Sequence, residues 1–183
     1  MPRQIPNIVA PAASARETAW SMPRRRSSRR AGPALRELRR RGIDQAVAGA
    51  VAAGATLFGI CLGMQLLFER SDEGDADCLG LLGGTAGRIG WSRRLPHMGW
   101  NDVTPRSDHP LASGLPAVCY FAHSYAVRPA DPRVVVAETE LDGRSFPCLV
   151  AEGAVAGAQF HPERSGAAGR ELLRSYLAWA DAA

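Results

Sequence analysis

A chain of 183 residues that is 46 % hydrophobic is long enough for one domain with a sizeable core, and no apolar run in it approaches the roughly 18–20 residues of a membrane span. Its four cysteines, Cys61, Cys78, Cys119 and Cys148, form no C-x-x-C pair. That argues against zinc and iron–sulfur ligand sets, predicts no metal and no other cofactor, and suits free thiols in a reducing cytoplasm. The formal charge of +4 is a sum of opposites: the first 41 residues hold 11 arginines against two acidic residues, Glu17 and Glu37, and the rest of the chain is net acidic.

The basic head reads "MPRQIPNIVAPAASARETAWSMPRRRSSRRAG". Its run "RRRSSRR" would neutralise phosphates, but it has no interleaved aromatic residues, and no nucleic-acid partner is expected from it. An Arg- and Ser-rich, acid-poor segment also fits a transit peptide, although no apolar signal-peptide core is present. The composition, all arginine and no lysine, with much Ala, Pro and Ser, favours a third hypothesis: a frameshift, a misplaced start or a truncated gene in GC-rich DNA. Sequencing the gene around codon 32 tests it, and an intact frame with no lost motif in another frame would sink it. Residues 5–10, "IPNIVA", can form one strand.

Past the head, "GPALRELRRRGIDQAV" begins a helix expected over about residues 33–53, with Leu35, Leu38 and Ile43 on its apolar side. A short apolar run from Ala55 to Ile60 follows Gly54 and reads as a buried strand. Met64, Leu67 and Phe68 then recur at helical spacing over residues 62–69. The chain therefore turns from strand to helix at Cys61, inside the G-x-C-x-G pattern of Gly59, Cys61 and Gly63. This is the form of a nucleophile elbow with cysteine in the place of serine. Side chains at either flanking position are expected to collide with the turn, and the N-terminus of the next helix faces the thiol and favours thiolate.

A thiolate nucleophile needs a base, and the base needs an orienting group. After a Gly-rich turn region, "GLLGGTAGRIG", strands are expected around 117–127, 133–139, 146–151 and 155–160. His161 leaves the last of these, Pro162 stiffens the turn, and Glu163 stands two residues on, where a carboxylate can fold back onto the imidazole. Cys61, His161 and Glu163 make a plausible triad, although spacing alone does not bring residues 61 and 161 together. His123 reads as a core histidine and His109 as a solvated loop residue. In "LPHMGWN", His97, Trp100 and Asn101 suit either an ordinary turn with a buried aromatic or an exposed anchor for a partner. The final helix, from about Gly166 to Ala180, sets Leu172, Leu173, Tyr176, Leu177 and Trp179 mostly on one side.

Taken together, "GICLGMQLLFERSDEG", "LPHMGWN", "CYFAHSYAV" and "GAQFHPERSG" resemble, in order and spacing, the class I glutamine amidotransferases, and within them the glutaminase subunits of imidazole glycerol phosphate synthase. The resemblance implies a mixed α/β, flavodoxin-like three-layer fold that is incomplete at its N-terminal strands. It divides the chain into a non-matching, disordered head over residues 1–31 and a truncated amidotransferase domain over residues 32–183. It implies that Cys61 attacks the side-chain amide of glutamine, that His161 moves the protons and that Glu163 orients His161. Gly63 and Gln65 would help bind the substrate, the backbone around Ser124 and Tyr125 would hold its α-amino-acid end, and the Leu62 N–H would be one oxyanion donor. His97, Trp100 and Asn101 would face the partner, a (β/α)8-barrel cyclase that receives the ammonia.

One departure sets an opposing expectation. The opening glycine turn of that family, which carries the second oxyanion donor, is not readable here, and loss of one such donor costs about 10²–10³ in kcat. An inactive or unstable remnant is therefore the alternative, followed by another class I amidotransferase or a stand-alone thiol hydrolase.

Overall fold

The computed structural model describes residues 8–9 and 31–182. The disorder expected for the head falls on residues that lie outside this set, apart from Ile8 and Val9. These two form strand β1 (Ile8–Val9), where "IPNIVA" was expected to provide one. It pairs in parallel with β2 (Leu57–Ile60), Ile8 opposite Leu57 and Val9 opposite Phe58.

The helix expected over 33–53 is two helices, α1 (Ala31–Arg40) and α2 (Ile43–Ala52). Gly42 breaks it with φ +67°, a left-handed conformation that favours glycine. Leu35 is buried while Ile43, across the break, is exposed, so the apolar stripe drawn through both does not exist in three dimensions. After β2 comes α3 (Leu62–Leu66), then β3 (Arg70–Ser71), β4 (Ala76–Asp77) and β5 (Gly84–Arg88). Strand β6 (His97–Asp102), β7 (Thr104–Pro105), the short α4 (Pro110–Ser113) and β8 (Val118–His123) follow. The chain continues through β9 (Tyr125–Pro129), β10 (Val135–Leu141), β11 (Arg144–Glu152) and β12 (Val155–Ala158), and closes with α5 (Gly166–Ala182).

The main sheet runs in the order β1-β2-β12-β11-β10-β7. Strands β1, β2 and β12 are parallel and the other pairings are antiparallel. Alternation along β2 divides the core between the two faces of this sheet. Phe58 joins Ala156, Leu149 and Val136 under α5, with Phe58 and Tyr176 ring centroids 4.7 Å apart. Leu57 joins Val47 of α2 and Met64 of α3 on the other face, with Val150 and Val155. Helix, sheet and helix make the three-layer α/β arrangement expected from the motifs. Along α5, Leu172 and Tyr176 are buried, Leu173 and Trp179 half-buried and Leu177 exposed.

Two smaller sheets were not legible in advance. One has the order β4-β3-β5-β9, with β5 inside the region read as a Gly-rich turn; the other is the pair β6-β8. The strand expected over 117–127 is accordingly split at Ser124, β8 pairing with β6 and β9 with β5.

Candidate active site

Cys61 stands between β2 and α3 with φ 52° and ψ −104°, a conformation that non-glycine residues rarely adopt. The elbow is tight because α3 turns back over β2. A Cβ on Gly59 would lie 2.6 Å from the carbonyl carbon of Gly63 and 2.7 Å from the Met64 nitrogen. Glycine is therefore required at position 59. The second glycine differs from expectation: a Cβ on Gly63 meets nothing within 4 Å, so no collision inside the chain demands it. The helix is also shorter than the 62–69 expected, ending at Leu66. Leu62, Gly63 and Met64 are its first three residues, whose N–H groups have no partner within a helix.

The parallel register of β2 and β12 assembles the site. Gly59 pairs with Gly157 and Ile60 with Ala158, and the Cys61 N–H donates to the Ala158 carbonyl at 2.7 Å. Cys61 thus directly follows β2 and His161 follows β12 by three residues, both at the C-terminal ends of neighbouring strands. The His161 Nδ1 lies 2.7 Å from the Glu163 Oε1. A carboxylate only accepts, so Nδ1–H donates and Nε2 is left to take a proton. The imidazole is mostly buried, while Glu163 is exposed.

Ser165, which the motifs did not single out, clamps this turn. Its hydroxyl donates to the His161 carbonyl at 2.7 Å and accepts from the Tyr120 N–H at 3.0 Å, and the His161 N–H donates to the Tyr120 carbonyl at 2.9 Å. The other thiols are poor nucleophiles. Burial pushes Cys78 up to about 11 and Cys119 up to about 12, and drives Cys148 well above the usual thiol value. Among the described residues, no cluster of His, Cys, Asp or Glu is placed to hold a metal ion, and no helix is long and apolar enough to cross a membrane.

A strand–elbow–helix with cysteine at its apex thus stands next to the strand end that leads into a histidine–glutamate pair. Residues 31–178 match the family model for class-I glutamine amidotransferase. The chain belongs to the class-I glutamine amidotransferase family. It is 47 % identical over 148 residues to the imidazole glycerol phosphate synthase subunit HisH of Symbiobacterium thermophilum, covering 79 % of this chain and 69 % of that one. It is 41 % identical over 157 residues to the HisH subunit of Aromatoleum aromaticum, covering 80 % and 73 %. A crystal structure of a glutamine amidotransferase superposes with a TM-score of 0.61 at 26 % identity, over 79 % of this chain and 71 % of that chain.

The remaining predicted residues of this amidotransferase fall into two groups. Gln65 is buried one turn beyond Cys61, and its amide N–H groups donate to the Tyr125 carbonyl at 3.4 Å and to the Gln159 Oε1 at 3.1 Å. Ser124 joins β8 to β9 and accepts from the Ile89 N–H at 3.0 Å, and the Tyr125 side chain is buried. In β6, Trp100 is 59 % exposed, whereas His97 is buried and stacks on Phe121 with ring centroids 4.9 Å apart. Asn101 turns inward as well, donating to the Thr139 hydroxyl at 3.0 Å and the Glu140 carbonyl at 2.5 Å. Of the three, Trp100 alone is exposed.

The notable omission is Gln159. It is fully buried, and its Nε2 points at the Cys61 sulfur at 3.6 Å. A lone polar residue in the apolar strand "VAGAQF" was the available signal, since a buried amide must be hydrogen-bonded.

Proposed function

We infer that this chain is the glutaminase subunit of an imidazole glycerol phosphate synthase. It hydrolyses glutamine and supplies the ammonia to a cyclase subunit in histidine biosynthesis. The observation that carries the chemistry is the β2–β12 register, which sets the Cys61 elbow beside the His161–Glu163 pair.

The steps follow from the geometry. His161 Nε2 takes the thiol proton as the Cys61 sulfur attacks the glutamine side-chain carbonyl. The resulting oxyanion forms next to the first turn of α3, where the Leu62 N–H is the donor following the nucleophile. Collapse expels ammonia, protonated by His161, and leaves a glutamyl thioester. Water, deprotonated by the same imidazole, cleaves that thioester to glutamate and regenerates the thiol. The open space beside Gly63 suits the substrate chain, and the backbone at Ser124–Tyr125 suits its α-amino and carboxylate groups. The Trp100 face suits the cyclase, a (β/α)8-barrel that takes the ammonia without its release to water. A free thiol nucleophile suits a reducing compartment such as the cytoplasm.

The test is ammonia release from glutamine by the purified chain mixed with a cyclase subunit and its nucleotide ligand, beside Cys61→Ala. Activity that depends on both Cys61 and the cyclase is expected. A folded chain that stays silent with the partner present would overturn the reading and return the inactive remnant.

A further inference from the structure

We propose that His97, His123 and Gln159 are positioning residues of the thiol site, joined by hydrogen bonds that converge on the Tyr125 carbonyl, from His97 and His123 on one side and from Gln65 on the other, with Gln159 linking Gln65 to the sulfur of Cys61. The proposal rests on the reading of Cys61 as the nucleophile. Each link has one permitted direction, and the Tyr125 carbonyl sets them all. A carbonyl only accepts, so the His123 Nδ1, 2.7 Å away, carries a proton and donates. A neutral ring then has a bare Nε2. The His97 Nδ1 lies 3.0 Å from it and must donate. The bare His97 Nε2 lies 3.4 Å from the Asn101 Nδ2, whose two hydrogens already serve the Thr139 hydroxyl and the Glu140 carbonyl, so the series starts at His97.

On the other side of Tyr125, Gln65 donates to the same carbonyl and to the Gln159 Oε1. This leaves the Gln159 Nε2, and so an N–H, directed at the Cys61 sulfur. Reversing any side chain in the series sets two donors or two acceptors against each other.

The series is buried throughout: His97, His123 and Gln65 are nearly inaccessible and Gln159 fully so. Burial favours the neutral rings, holding His97 below its usual value and His123 down to about 3. A protonated ring would set two N–H groups face to face at 3.0 Å. Two aromatic hydrocarbons would fill this space as well, with Phe121 already stacked on His97 and Phe146 tilted against His123. What hydrocarbons cannot do is donate to the Tyr125 carbonyl and so fix in place the acceptor from which the Gln65 and Gln159 amides take their positions. Those positions matter because an N–H bond to sulfur stabilises thiolate more than thiol.

Two measurements test this, and neither needs glutamine turnover, so they fail separately from the functional reading. The first is the pH profile of Cys61 alkylation by iodoacetamide, followed by mass spectrometry of the Cys61 peptide in the full chain. Gln159→Leu should slow alkylation at neutral pH by about tenfold, through an upward shift of the profile. His123→Phe should shift it the same way by less, and the double variant should go no further than Gln159→Leu alone. His123→Asn, whose amide N–H can donate to the Tyr125 carbonyl, should restore part of the loss. An unmoved profile in His123→Phe, or a strictly additive double variant, would reduce the histidines to core filling and overturn the proposal. The second uses the unaltered chain with ¹⁵N-labelled histidine. Both His97 and His123 should appear as neutral Nδ1–H tautomers at neutral pH, and an Nε2–H tautomer or a charged ring at either position would overturn it.

Discussion

Replacing Gly59 by alanine puts the elbow geometry under the most direct strain. The added Cβ would stand 2.6 Å from the Gly63 carbonyl carbon, 2.7 Å from its oxygen and 2.7 Å from the Met64 nitrogen. These are backbone atoms of α3, and none can rotate away. Ordinary contact begins near 3.4 Å, so the turn must retreat by about 0.8 Å. That retreat lifts Met64 and Leu67 off the face they share with Val150 and Val155. Over-packing of this kind costs about 1–3 kcal/mol. The sulfur travels with the turn, and a displacement near 1 Å from the reacting geometry costs about 10² in rate. Thermal melting and partner-stimulated glutaminase activity measure both effects. A Gly59→Ala variant with an unchanged melting temperature and full turnover would refute the close approach of α3 to β2.

The second glycine predicts a contrast. Gly63→Ala meets nothing within 4 Å and should keep or slightly raise stability, while KM for glutamine rises because the open space belongs to the substrate. An unchanged KM would remove the substrate from that space. Cys61→Gly should abolish activity yet stabilise the fold by about 1 kcal/mol, since φ 52° with ψ −104° is strained for any side chain. A lower melting temperature in that variant would show the conformation to be relaxed. Acid should destabilise the chain through His123. Burial lowers its folded pKa to about 3 from an unfolded value near 6.5, so between those values the unfolded chain binds the extra proton. Stability is therefore lost as pH falls through this window, by about 2 kcal/mol between pH 7 and pH 5. Urea titrations at the two pH values check this, and the same loss in His123→Phe would assign it elsewhere. Trp100→Ala, at an exposed position, should change stability by no more than about 0.5 kcal/mol but weaken cyclase binding by about thirtyfold or more, read by titration of the partner. Unweakened binding would move the docking surface off this face.

Several elements were legible because their chemistry is local. The elbow needs a strand, a glycine, a nucleophile and a helix within ten residues, and all of them are contiguous in "ATLFGICLGM". The His161–Glu163 bond closes over two residues, so it too is written in one short stretch. Strand β6 was less legible. Its outward residues Met98 and Trp100 are large, apolar and exposed, and Gly99 has φ +132°, which together give a turn-like pattern. The break between α1 and α2 was hidden by apolar residues continuing at helical spacing past Gly42, whose left-handed conformation appears only in the fold.

Sequence by itself supplied the candidate groups for chemistry: a thiol at a strand end, an imidazole with its carboxylate, and an amide one helical turn from the sulfur. The tertiary structure alone decided which groups meet. The residues of the β2–β12 ladder lie about a hundred positions apart, and no short-range pattern specifies a parallel register across that distance. The same holds for Gln159, whose contact with Cys61 spans 98 positions, and for the two buried histidines. A buried polar group takes its partner from whatever the packing brings within 3 Å or so, and packing is a property of the whole core.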